Sequence, residues 1–331
     1  MTPAAGARVI SELGVEGSVE LARLERSGLI ESRHIGAAAV VDSDGRLLRA
    51  VGDVHATIYP RSTLKPVQAI AMLTAGARFA DDELVLALAS HCGSPEHVAV
   101  VERMLADDAR TEQSLQCPAL WPLGSEQRAA LQAAGLGPTR LTMNCSGKHA
   151  GMLRASDALN ADPGGYLEAE HPVQRLIRDV VEQYTGEPVR HRASDGCGSP
   201  MPAVSLAGLA RATARIASAA EPHTARVMAA VRAEPWAIDG RGRANTVVIE
   251  RLGGLAKLGT EGLVVIATPG GVAVAVKVLD GSMRATTPVA LSLLAAEGVV
   301  DPLVAAALID ETSERVRAGD REIGRLRVSE F

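Results

Sequence analysis

A serine hydroxyl is a poor nucleophile until a neighbouring base takes its proton. Ser62-Thr63-Leu64-Lys65 places a hydroxyl and an amine three residues apart. The pair precedes an apolar, Ala-rich run, Val67–Ala75, and the apolar positions Leu64, Val67, Ile70, Ala71 and Leu73 suit one helical face. That spacing predicts a helix over about 63–75, with Ser62 near its start and Pro66 still close to the first turn, where proline is tolerated. Residues three apart lie on one helical face, so Ser62 and Lys65 are expected to meet. Lysine serves as a base only when burial or nearby cations lower its pKa. Ser-x-x-Lys is a short pattern, and a capping serine beside a surface lysine is the alternative reading.

Five further segments carry chemistry. Ser90-His91-Cys92-Gly93-Ser94-Pro95 is a polar turn between two helical stretches, with a second serine able to relay a proton, hold a substrate or simply cap. Asn144-Cys145-Ser146-Gly147-Lys148-His149 gathers thiol, hydroxyl, amine and imidazole before a helix start, and Asp195-Gly196-Cys197 adds a carboxylate and a second thiol. Zn²⁺ takes thiolate and imidazole ligands, but Cys145-x-x-Lys148 is not a Cys-x-x-Cys, so spacing alone favours small buried cysteines. Lys257 lies among glycines ahead of a strand, similar to the Lys-Thr-Gly element of serine β-lactamases and penicillin-binding proteins. It is suited to hold an anionic group or to tune Lys65 by like-charge repulsion. Asp239-Gly240-Arg241-Gly242-Arg243 reads as a carboxylate-binding loop or a solvated one.

These segments need a frame. Residues 36–52 read as a hairpin around Asp42-Ser43-Asp44-Gly45. Helical spacing follows over about 63–75, 82–90, 95–109, 125–135, 147–159, 171–185, 202–216 and 221–233. Strands return at 263–268 and 272–279, two helices come over 286–297 and 301–310, and 322–328 alternates like a last strand. The layout predicts an α+β fold: one antiparallel sheet from the N- and C-terminal segments, with a helical lobe inserted between them. The expected boundaries are a sheet lobe at about 15–60 and 245–331 and a helical lobe at about 61–244, within one catalytic domain.

Composition removes several function classes. Hydrophobic residues at 47% and charged residues at 22% are ordinary for a globular protein. A net charge of −5 offers no general attraction to nucleic acid or anionic lipid. Aromatics at 2% leave no stacking platform for single strands. No apolar run reaches the roughly 20 residues of a membrane helix. Met1–Gly14 lacks a leader pattern, and four dispersed cysteines suit reduced thiols, so a cytoplasmic location is expected.

Ser62-x-x-Lys65, Ser90-His91, Asn144-Cys-Ser-Gly-Lys148-His149, Asp195-Gly-Cys197 and Lys257-Leu-Gly259 occur in one order, and from about residue 15 onward the chain resembles the thermolabile, rhizobial-type L-asparaginases, the asparaginase II family. The resemblance implies a serine β-lactamase-like fold and hydrolysis of L-asparagine to L-aspartate and ammonia. It implies Ser62 with Lys65 as one Ser–Lys pair and Ser90 with Lys257 as a second. It also implies zinc held by Cys145, Lys148 and Cys197, with Arg61, His149 and Asp195 around the substrate, and it is compatible with a homodimer. On this reading Lys65 takes the Ser62 proton, Ser62 attacks the amide carbon, and water clears the ester. The rivals are another serine hydrolase of the same fold, acting on glutamine, a β-lactam or an ester, and a non-catalytic amino-acid or metal-binding homologue.

Overall fold

The expected hairpin is present as part of a longer ribbon. In the computed structural model, which describes residues 11–331, β1 (Val19–Arg26) and β2 (Leu29–Val41) are joined by Ser27-Gly28, both at positive φ. That is the backbone of a two-residue turn whose twist matches antiparallel strands. Residues 1–10, most of the segment searched for a leader, lie outside the described ones. β3 (Leu47–Val51) folds back on β2, and the Asp42 carboxylate accepts hydrogen bonds from the backbone N–H groups of Asp44 and Arg46 to close the turn. β1 escapes sequence patterning because its wetter positions are charged. Glu20 pairs with Arg33 of β2, and Glu25 with Arg327.

After β4 (Thr57–Ile58) and a 3-10 turn over Arg61–Leu64, the chain becomes helical: α1 (Lys65–Thr74), α2 (Asp81–Ala87), α3 (Pro95–Asp107), α4 (Ser125–Ala133), α5 (Ser146–Ala158) and α6 (Pro172–Thr185). Proline occupies the first turn of α1, α3 and α6, where its missing N–H costs nothing. The short strands β5 (Arg192–Ser194) and β6 (Pro200–Pro202) pair with each other, and β7 (Val204–Ser205) pairs with β4. Then come α7 (Leu206–Ala217), α8 (Pro222–Ala233) and α9 (Ala244–Leu252). The sheet resumes with β8 (Leu255–Gly259), β9 (Leu263–Ala267) and β10 (Ala273–Val278). Helices α10 (Thr286–Ala296) and α11 (Pro302–Thr312) precede β11 (Val316–Ala318) and β12 (Arg321–Val328).

The main sheet runs β11-β12-β1-β2-β10-β9-β8, with β3 also on β2, and every pairing is antiparallel. N- and C-terminal segments interleave in it: Ala38 lies opposite Val276, and Ala22 opposite Val328. The α+β layout with an inserted helical region is therefore as expected. Residues 37–41 of β2 and all of β9 are buried without alternation, the mark of strands covered on both faces. Helix α7 packs across β2, β9 and β10, and α10 across β9 and β10. Ala37, Ala38 and Ala39 keep that approach close. Among the described residues no helix is long and apolar enough to cross a membrane.

Two expectations need correction. Lys257 lies within β8, at the edge of the sheet as expected, but in a strand and not in a glycine-rich loop. Residues 244–252 form a full helix, α9, closed by Gly253 at φ 68°. Its flanking glycines hid it, although a glycine just beyond a helix is an ordinary stop.

Candidate active site

Two lysines close on one hydroxyl. Ser90 sits on the loop after α2, held by its own N–H donating to the Ile238 carbonyl. Its Oγ lies 3.0 Å from Lys65 Nζ and 2.9 Å from Lys257 Nζ. Lys65 reaches it from the first residue of α1, and Lys257 from the middle of β8. Asn245 of α9 pins that strand, its side-chain oxygen accepting from the Leu258 N–H at 2.9 Å. Both lysines are fully buried, while Ser90 keeps 8% of its surface exposed. Burial, reinforced by the charge of Lys65, pushes the Lys257 amine down from 10.5 to about 7.

Hydrogen-bond counting separates the two amines. Lys65 Nζ meets three acceptors: the Ala89 carbonyl, Ser90 Oγ, and Cys145 Sγ at 3.1 Å. An ammonium has three donors and no lone pair. Lys65 is thus a saturated cation, placed to stabilise negative charge on Ser90. Lys257 has one backbone acceptor, the Leu258 carbonyl at 2.7 Å, and as a neutral amine still has a lone pair for the Ser90 proton.

None of the three Lys65 Nζ hydrogen bonds goes to Ser62. The expected Ser62–Lys65 meeting assumed one continuous helix. Ser62 lies in the 3-10 turn and Lys65 opens α1, with the Lys65 N–H bonded to the Ser62 carbonyl, so the spacing is kept while the Lys65 amine is taken by Ala89, Ser90 and Cys145. Ser62 is 8% exposed, like Ser90, and follows Arg61, a non-glycine residue at φ 50°. Such a conformation costs roughly 1–3 kcal/mol and concentrates at functional positions. The Arg61 guanidinium holds the Asp195 carboxylate, Nε to Oδ1 at 2.9 Å. Arg61 also borders a cavity of about 400 Å³ lined in addition by Tyr59, His191, Glu261 and Lys277.

A sulfur centre adjoins this one. Cys145 caps α5, Lys148 follows one turn later, and Cys197 comes from the turn between β5 and β6. Lys148 Nζ lies 3.1 Å from Cys197 Sγ. A hydrogen bond from Cys145 and the charge of Lys148 hold Cys197 as a thiolate, while Cys145 retains the shared proton and is pushed well up. Burial opposes the charge on Lys148, but Cys197, Cys145 and Asp195 outweigh it and raise its pKa. His149 Nδ1 is 2.7 Å from the Tyr166 hydroxyl, and burial lowers the imidazole pKa.

Among the described residues no three His, Cys, Asp or Glu side chains converge as a metal cluster. The donor set that does converge is two thiols and one amine, all buried, which fits Zn²⁺ once Lys148 sheds its proton. Lys65 joins the two centres by bonding both Ser90 and Cys145.

The expected residues thus form two neighbouring clusters. Supporting groups came from positions with little sequence signal. The Ala89 and Leu258 carbonyls orient the lysines. His91, fully buried, bonds Ser146 at 2.9 Å and ties the Ser90 loop to the start of α5. Only the adjacency of His91 to Ser90 hinted at this, and nothing marked Asn245 or Tyr166.

The family model described as L-asparaginase II matches residues 22–328. No curated protein matches the chain. Among solved structures, a β-lactamase from Mycobacterium bovis is similar at 16% identity and a TM-score of 0.42, covering 80% of this chain and 95% of that one. The structure titled as Mglu in its tris and glutamate form is similar at 17% identity and a TM-score of 0.35, covering 86% of this chain and 64% of that one.

Proposed function

The chain belongs to the L-asparaginase II family, and from that premise we propose that it hydrolyses L-asparagine to L-aspartate and ammonia through an acyl-enzyme on Ser90. The observation that carries the mechanism is the Ser90 hydroxyl set between two buried lysines of unlike character. Lys257, with a pKa of about 7, takes the Ser90 proton as the oxygen attacks the side-chain amide carbon. The Lys65 ammonium stays in place and stabilises the charge on the attacking oxygen. Lys257 then returns its proton to the departing nitrogen, and ammonia leaves. In the second half, Lys257 takes a proton from water, the hydroxide attacks the ester, and Ser90 is released with its proton restored.

Arg61 and Asp195 supply a fixed charge pair suited to the α-carboxylate and α-amino group of an amino acid. Cys145, Lys148 and Cys197 would hold the zinc that the family resemblance implies. Bound there, Zn²⁺ would supply Lewis acidity and positive charge near the reacting amide.

A second reading keeps Ser62 as the attacking atom. It rests on the strained Arg61 immediately before it and on the equal exposure of the two serines. Ammonia release by purified protein and by Ser90→Ala and Ser62→Ala tests both. Loss of turnover in Ser90→Ala, with an acyl adduct retained on Ser90 of Ser62→Ala in mass spectrometry, supports the first reading. An adduct on Ser62 supports the second. L-glutamine, nitrocefin and a nitrophenyl ester in the same assay separate asparagine hydrolysis from the other serine hydrolases. Asparagine binding in calorimetry with no ammonia at any pH would make the chain a binding protein.

A further inference from the structure

Helix α5 starts against the last turn of α2 with no side chain between them. Gly147, the second residue of α5, is buried on Leu86. A Cβ at Gly147 would stand 2.6 Å from the Leu86 carbonyl oxygen and 2.9 Å from its carbon. The backbone does not call for glycine here, because φ is not positive and alanine is the better helix former. The contact does. The touched carbonyl is already committed, accepting from the Ala89 N–H at 3.1 Å. Ala89 gives its own carbonyl to Lys65, and Ser90 is the next residue. On the α5 side, Gly147 sits between Cys145 and Lys148. Two ties cross the same joint: the His91 N–H donates to the Asn144 carbonyl at 3.2 Å, and His91 Nε2 meets Ser146 Oγ at 2.9 Å. Lys65 spans it with one amine, 3.0 Å from Ser90 Oγ and 3.1 Å from Cys145 Sγ.

Gly151, one turn further on the same face, differs in what it touches. A Cβ there would meet the Met72 sulfur at 2.8 Å and the Ala87 Cβ at 3.2 Å. A methionine side chain is flexible and can swing aside. The Leu86 backbone, bonded into its turn, cannot.

We propose that Gly147 is a positioning residue, whose missing side chain sets the gap between the Ser90 loop and the start of α5 that Lys65 spans. With a methyl group wedged there one side must give, and Lys65 loses either Ser90 or Cys145. The effect on turnover rests on Ser90 as the attacking atom; the gap itself does not.

The test is crystal structures and steady-state kinetics of the parent, Gly147→Ala and Gly151→Ala. In Gly147→Ala one of the two Lys65 Nζ contacts should open beyond hydrogen-bond reach. kcat should fall about 10- to 100-fold, the scale of a misplacement near 1 Å. KM should stay within about threefold, because Arg61 and Asp195 lie on other elements. Gly151→Ala should keep both contacts and a kcat within about threefold of the parent. Gly147→Ala with both contacts and kcat retained, or Gly151→Ala with an equal loss, would overturn the proposal. Should Gly147→Ala not fold, Ser146→Ala decides, since it cuts the His91 tie across the joint without adding an atom. A lower kcat at unchanged KM supports the proposal, and an unchanged kcat overturns it. Should the parent release no ammonia from asparagine, the proposed reaction fails while the two Lys65 distances still decide the role of Gly147.

Discussion

Lys257 and Lys148 are buried to the same degree and titrate in opposite directions. Lys257 faces a neutral hydroxyl and another cation, so burial prevails and the amine falls to about 7. Lys148 faces a thiolate, with Asp195 nearby, so the same burial is outweighed and the ammonium is held. Burial alone therefore does not turn a lysine into a base. The partner decides, and two elements of one fold supply opposite partners a few side chains apart. In the proposed mechanism one centre exchanges a proton and the other holds a charge.

The sharpest break in that contrast is at Ser90. Ser90→Ala should lower asparagine turnover by about 10³-fold or more, read as ammonia release, while Lys65 and Lys257 stay buried. Turnover within tenfold of the parent would shift the chemistry to Ser62.

Lys257→Met should cut kcat by about 10²–10⁴-fold, the range for losing a general base. In the parent, kcat/KM should climb with pH through about 7, because the base acts only when deprotonated. Lys65→Met removes the neighbouring charge and should move that limb to higher pH, and a limb that stays put would detach the two lysines from each other. Folding stability carries the same signature. The folded amine titrates at about 7 and the unfolded one at 10.5, so between these the unfolded chain binds more protons and stability rises with pH. Urea unfolding of parent and Lys257→Met across that window should show the slope only in the parent.

On the charge-holding side, Lys148→Met strands the Cys197 thiolate and should cost about 3 kcal/mol. Thiolate absorbance should then develop at higher pH than in the parent. An unchanged thiolate titration would mean that Cys145 alone keeps Cys197 ionised. The smallest effect is expected at Arg61, a partly exposed partner of Asp195. Arg61→Ala should cost about 1 kcal/mol or less in stability and raise KM more than it lowers kcat.

Much of this arrangement was legible in the chain, for a definite reason. Ser62, Lys65, Ser90, Cys145, Lys148, Cys197 and Lys257 stood out segment by segment for their reactive side chains, and the family resemblance joined them into a set. Which of them touch was not legible. The three-residue spacing of Ser62 and Lys65 looked decisive, yet the Lys65 amine is taken by acceptors distant in the chain, the Ala89 carbonyl, Ser90 and Cys145. Helices α3 and α6 were readable because proline starts and apolar faces agreed. α9 and β8 were hidden by glycines, and β1 by charges whose partners lie on β2 and on β12, some 300 residues away. Backbone carbonyls, Asn245 and Tyr166 carry no chemical signature at all. Their roles exist only once tertiary structure brings the acceptors together.

The sheet pairs β2 with β10, residue 38 against residue 276, and Lys257 arrives on β8 shortly before that strand. During synthesis the helical stretch carrying Ser62, Lys65, Ser90 and Cys145 leaves the ribosome long before its base does. A nascent chain stopped short of residue 255 would display every serine and thiol of the site and still lack the second lysine on Ser90. Such a polypeptide would also lack β10, leaving one edge of Ala37–Val41 unpaired. The pair of lysines around Ser90 can therefore assemble only after translation has passed β8.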